Sequence, residues 1–163
     1  MKLYLKQKVF SWKDRFFVKD ESEADRYSVE GEILSIGKKL HVYDSSGAKV
    51  AFIREKVMSF MPRYFIEING QLVCEVVKKF TFFKPSYAVE GLSWDLKGDF
   101  IAHNYTLTEK NREIMTLRKK MISWGDSYEL YIADSQHELL CLCIALAVDC
   151  ALAAENSNST VWS

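Results

Sequence analysis

The sequence predicts an all-β domain with one buried helix: about twelve strands in a closed barrel, built by internal duplication and wrapped around an apolar C-terminal helix. Three observations predict it. Short runs of alternating apolar and polar residues fill the chain as far as Ala133. Parts of the chain recur further along in the same order. One long apolar segment follows the last strand-like run.

Alternation at period two marks a strand with one buried face, because successive side chains point to opposite sides. Leu3–Val9, Arg15–Lys19 and Tyr27–Gly31 open the series. Lys39–Asp44 and Lys49–Arg54 flank Ser45-Ser46-Gly47, which reads as strand, tight turn, strand. Tyr64–Ile68 and Gln71–Val77 flank Asn69-Gly70, a hairpin signal because both turn positions need positive φ. Lys79–Phe83, Tyr87–Gly91, Phe100–Leu107, Glu113–Lys119 and Tyr128–Ala133 complete the set.

Tyr27-Ser28-Val29-Glu30-Gly31 recurs as Tyr87-Ala88-Val89-Glu90-Gly91, and His41-Val42-Tyr43 as His103-Asn104-Tyr105. Val50 to Phe60, containing Arg54, Lys56 and Ser59, recurs as Ile114 to Trp124, containing Arg118, Lys120 and Ser123. Tyr64 and Ile68 recur as Tyr128 and Ile132. The offset widens along the chain, as small loop insertions between preserved strands would make it. Two half-barrels, about 27–68 and 87–132, related by a pseudo-twofold axis are expected.

From Leu139 to Ala154 every residue except Asp149 is apolar, with no Gly or Pro, which favours helix over strand. Such a run spans about 24 Å at 1.5 Å per residue, slightly short of the roughly 20 residues of a membrane span. A helix apolar all round must be enclosed, and a barrel of about a dozen strands needs a plug. Residues 1–154 therefore form one domain, and 155–163 a polar, frayed tail.

The chain has 163 residues, 48% apolar, with Lys plus Arg balancing Asp plus Glu at 22 each. That composition suits one folded domain. Its zero net charge argues against a general nucleic-acid binder, so no nucleic-acid partner is expected. The opening Met1-Lys2-Leu3-Tyr4 interleaves charge with apolar residues, unlike a secretory leader. Cys141 and Cys143 point about 200° apart on a helix and match no zinc pattern. With Cys74 and Cys150 they read as buried thiols of a cytoplasmic protein. No metal or cofactor is expected, and no nucleophile elbow, phosphate loop or dinucleotide fingerprint points to an enzyme.

The segments Tyr4-Leu5-Lys6-Gln7-Lys8, Gly37-Lys38-Lys39-Leu40-His41-Val42-Tyr43-Asp44, Lys78-Lys79-Phe80-Thr81 and Gly98-Asp99-Phe100, with the apolar helix around Asp149, carry a resemblance. In order and spacing they resemble the LURP-one-related family, over Leu3 to about Ala154. The resemblance implies a twelve-stranded barrel around a central hydrophobic helix, distantly similar to tubby domains and phospholipid scramblases. Tubby domains bind phosphoinositides. Their lipid-binding motif does not align here, so none of its residues is carried over, and shared fold is weak warrant for shared function.

Two basic groups are candidate anion sites. Arg54/Lys56 and Arg118/Lys120 each project two cations from one strand face. Apolar residues follow them: Val57, Met58, Phe60 and Met61 in one half, Met121, Ile122 and Trp124 in the other. Cations beside exposed aromatics suit an anionic lipid surface; the alternative is a solvated strand face whose apolar neighbours point inward. Lys78, Lys79 and Lys84 interleave with Phe80, Phe82 and Phe83. They can hold a phosphate as point charges or simply guard a strand edge. His41 and His103 read as packing residues, His137 as a turn residue, and Asp149 as a carboxylate with a structural partner near the barrel mouth. The leading expectation is a non-enzymatic binding module for anionic lipid head groups or another phosphorylated ligand, peripheral at a membrane. The alternatives are a protein-interaction domain and a barrel holding an apolar ligand.

Overall fold

Twelve antiparallel strands surround one helix in the computed structural model of the chain, which describes residues 1–6, 15–32, 34–122 and 125–160. The strands are β1 (Lys2–Lys6), β2 (Phe16–Lys19), β3 (Asp25–Gly31), β4 (Lys39–Asp44), β5 (Lys49–Glu55) and β6 (Arg63–Ile68). They continue as β7 (Gln71–Lys79), β8 (Ser86–Glu90), β9 (Trp94–Asp99), β10 (Asn104–Glu109), β11 (Arg112–Ile122) and β12 (Gly125–Ile132). A 3-10 turn, Ser135–His137, leads into helix α1 (Glu138–Thr160).

The sheet order is β8-β7-β6-β5-β4-β3-β2-β1-β12-β11-β10-β9. From β1 to β8 and from β9 to β12 each strand bonds to its neighbours in sequence, and β12 returns to β1 with Leu3 opposite Leu130. One junction is left without a ladder, between β8 and β9. The expected barrel is present and nearly closed. Inward residues alternate with outward ones, as the pleat requires: Leu3 and Leu5, Val42, Ile53, Ile66, Val76 and Leu130 are all buried against α1 or its neighbours.

The internal repeat is visible in the register. Ala51 faces Ile68 and Ile53 faces Ile66; Met115 faces Ile132 and Leu117 faces Leu130. Strands β5 and β6 are thus matched by β11 and β12 position for position. The other two sequence matches do not hold. Leu40 faces Ile53 as Tyr105 faces Leu117, so Tyr105 corresponds to Leu40 and the His41/His103 alignment is three residues out. Tyr27 lies in β3 and Tyr87 in β8, whereas β3 has β9 as its six-strand counterpart.

Three local expectations are corrected. Residues 80–83 are loop, because β7 ends at Lys79 and Pro85 precedes β8. β9 was not expected. Residues 100–103 form a turn, and β10 starts at Asn104. The expected strand Leu3–Val9 begins at Lys2 and is described to Lys6; its remainder lies outside the described residues.

Helix α1 runs to Thr160, so the polar tail continues it where fraying was expected. Ser135–Asn156 has the length and apolarity of a membrane span, which removes the length argument against one, yet 67% of its most apolar window is buried in the barrel. The burial is what encloses it. Its first turn is fixed by Glu138, buried and held by Arg26 through two hydrogen bonds of 2.8 and 3.0 Å. All four cysteines are free and buried, and burial pushes the Cys74 and Cys141 thiols up to about 12.

Candidate functional site

The two ends of the barrel differ in chemistry. Odd-numbered strands run from the end holding the N-terminus of α1 to the end holding its C-terminus, so the chain turns alternately at each. At the first end the turns are short and polar. Asp20 accepts from the Ser22 and Ala24 amides at 2.8 and 3.1 Å, and Asp44 accepts from the Ser46 and Ala48 amides at 2.9 and 3.1 Å. An aspartate side chain that mimics a backbone turn needs no apolar anchor. Among the described residues, the loops at this end expose no large apolar side chain.

At the C-terminal end of α1 three of the described loops are longer and apolar. Residues 32–38 expose Leu34 and Ile36, residues 56–62 expose Met58 and Phe60, and residues 80–85 expose Phe80, Phe82 and Phe83. Ile101 and Met121 stand beside them, also exposed. Met58 and Phe83 are 99% and 98% exposed. Met58 has φ 61°, a conformation that costs free energy for an L-residue and here holds an apolar side chain in water. So many large apolar side chains left to solvent at one end call for an explanation outside the chain itself.

The candidate cations divide. Arg54 donates to Glu67 at 3.0 Å and its guanidinium lies over Phe65. Lys120 is 4.0 Å from Glu129, which also meets Lys2. Lys84 is 3.1 Å from Asp99. Lys78 points inward, to Glu155 of α1 at 2.9 Å. Lys56, Lys79 and Arg118 are exposed with no ionic partner among the described residues. Arg54 and Arg118 lie on β5 and β11, six places apart in a ring of twelve, so the duplicated pairs stand on opposite walls and cannot share a pocket. Lys79 and Lys84 do converge, at either end of the loop that carries the three phenylalanines. Lys97, an exposed outward residue of β9 that sequence reasoning missed, lines the same groove.

The apolar residues after Arg54 and Arg118 do not point inward: Val57, Met58, Phe60 and Met121 are exposed, while Met61 is half-buried. The side chain of Ile122 and the whole of Trp124 lie outside the described residues.

The histidines are structural contacts. His41 meets Glu32 at 2.8 Å and stacks on Phe52; His137 meets the edge of Trp94. His103 stacks on Tyr128 and meets Asp149 at 3.3 Å, which supplies the expected partner at the barrel mouth. Burial pushes the Asp149 carboxyl up to about 6, against the opposing pull of His103. Its other oxygen, Oδ2, is buried without a hydrogen bond. Among the described residues no three His, Cys, Asp or Glu side chains gather as a metal site would need.

Comparison with known proteins places the family and the fold. The family model described as LURP-one-related matches residues 1–149. The uncharacterized protein YxjI of Bacillus subtilis is 42% identical over 159 residues, covering 98% of each chain. A protein of Arabidopsis thaliana solved by X-ray crystallography superposes with a TM-score of 0.62 at 17% identity, covering 91% of this chain and 89% of that one.

Proposed function

The chain belongs to the LURP-one-related family, and on that footing we propose that it is a non-enzymatic module that docks on an anionic membrane surface with the loops at the C-terminal end of α1. The single observation that carries this is that, among the described residues, the large apolar side chains exposed on loops all lie at one end of the barrel, while those exposed on strands, Phe17, Leu72 and Tyr131 among them, are scattered. Phe80, Phe82 and Phe83, flanked by Lys79 and Lys84, are the densest part of that end.

Burying one such phenylalanine contributes roughly 1.5–3 kcal/mol, and each lysine near an anionic surface contributes about 1 kcal/mol. Several of each are needed for stable peripheral binding, and this end offers several of each. Zero net charge is no obstacle, because the acids Asp20, Glu21, Glu23 and Asp25 cluster at the opposite end. The barrel can therefore present its cationic, apolar end and keep its acidic end away.

Vesicle co-sedimentation tests the proposal. Salt-sensitive binding to vesicles containing phosphatidylserine, with none to phosphatidylcholine vesicles, is expected. Loss of that binding in a Phe82→Ser, Phe83→Ser variant is expected as well. No binding to phosphatidylserine vesicles at low salt contradicts it and leaves a protein partner as the better occupant of this surface.

A further inference from the structure

We infer that the unbonded seam between β8 and β9 is a binding site for a single anionic amphiphile, a phosphate or carboxylate head on an alkyl chain; the docking reading supplies where such a ligand comes from. The seam is the one junction in the described sheet without a ladder, and a groove of about 340 Å³ runs along it. That volume falls in the range of small-molecule sites, about 300–1,000 Å³.

The groove has two kinds of surface. Its floor is core seen through the gap: Val89 from β8, Leu96 from β9 and Phe100 beyond it. Its banks carry Lys79 and Lys84 on one side and Lys97 on the other. Lys79 and Lys97 have no ionic partner among the described residues, and Lys84 bridges to Asp99. Asp95 also lines the groove, at the end away from the lysine-bearing loop. Both banks are strand edges, and a strand edge presents unpaired N–H groups that can meet head-group oxygens. An apolar floor with cations on its rim fits a ligand of the same polarity, which neither free phosphate nor a neutral lipid has.

Position supports the same ligand. The seam reaches the barrel end that carries the exposed phenylalanines, because the loop 80–85 that bears them leads directly into β8. A lipid leaving the bilayer at that loop would meet the groove without crossing water.

The test is titration calorimetry with monododecyl phosphate below its critical micelle concentration. Binding of one molecule per chain is expected, with inorganic phosphate and dodecyl maltoside each weaker by about tenfold or more. Ala88→Trp, which fills the groove from β8, should abolish that binding and leave vesicle sedimentation intact. Lys97→Glu lies on the exposed face of β9 and should weaken it about tenfold; this variant carries the test if Ala88→Trp does not fold. Equal affinity for inorganic phosphate, or no binding of monododecyl phosphate, overturns the inference. Vesicle binding without amphiphile binding refutes the seam site alone; amphiphile binding without vesicle binding refutes the docking reading alone.

Discussion

Lys78 turns into the mouth of the barrel and meets Glu155 of the helix at 2.9 Å, where the Tyr87 hydroxyl donates to the same carboxylate oxygen at 2.9 Å. A lysine expected to hold a ligand anion holds the protein's own helix. Glu155 belongs to the polar segment in which fraying was expected, and this contact shows why the helix continues there.

Lys78→Ala should therefore lower stability by about 1–2 kcal/mol, between the worth of an exposed and a buried pair. Vesicle binding should stay unchanged. Denaturant unfolding and co-sedimentation of the same variant check both halves of the prediction.

Asp149 makes stability depend on pH. Burial raises its carboxyl from 3.8 to about 6 in the folded chain. Between those values the folded state holds a proton that the unfolded state has released, so this group's stabilising contribution is complete below the lower value. It is lost as pH rises through the upper one. At about 1.4 kcal/mol per pH unit, Asp149→Asn should gain roughly 1–1.5 kcal/mol on the wild type between pH 5 and pH 8. Urea unfolding of both proteins at the two pH values measures it; a constant difference would contradict the assignment.

Gly98 cannot take a side chain. Its φ is 144°, and a Cβ there would lie 2.5 Å from the Asn104 carbonyl oxygen and from the Tyr105 Cα. Both neighbours are backbone of β10, so Gly98→Ala should destabilise by about 3 kcal/mol and free the edge strand β9. Thermal unfolding gives the size, and amide exchange confined to β9 and β10 gives the place.

The same glycine shows what was legible in the sequence. Gly98-Asp99-Phe100 stood out as a motif, and each residue has a local reason. The glycine allows close approach, Asp99 accepts from the Ala102 amide at 3.0 Å, and Phe100 packs edge-on against Tyr87. Strand β9, whose last two residues are Gly98 and Asp99, stayed hidden because Trp94 and Leu96 are its only large apolar residues. The segment 80–83 was misread for the opposite reason: interleaved Phe and Thr look like strand alternation, yet its phenylalanines face solvent, and the Thr81 hydroxyl closes a turn on the Lys84 carbonyl. Hairpins and the helix were readable because they depend on nearby residues. The opposition of Arg54 to Arg118, and the meeting of Lys79 with Lys97, depend on strand order around a ring, which no local pattern carries.

Hydrogen exchange of the intact chain, alone and with phosphatidylserine vesicles, tests the central claim most directly. The account predicts vesicle-induced protection in residues 34–38, 56–62 and 80–85, with none in the turns Asp20–Ala24 and Asp44–Ala48. Protection at the acidic end, or uniform exchange with and without vesicles, would contradict a barrel that meets the membrane with one end.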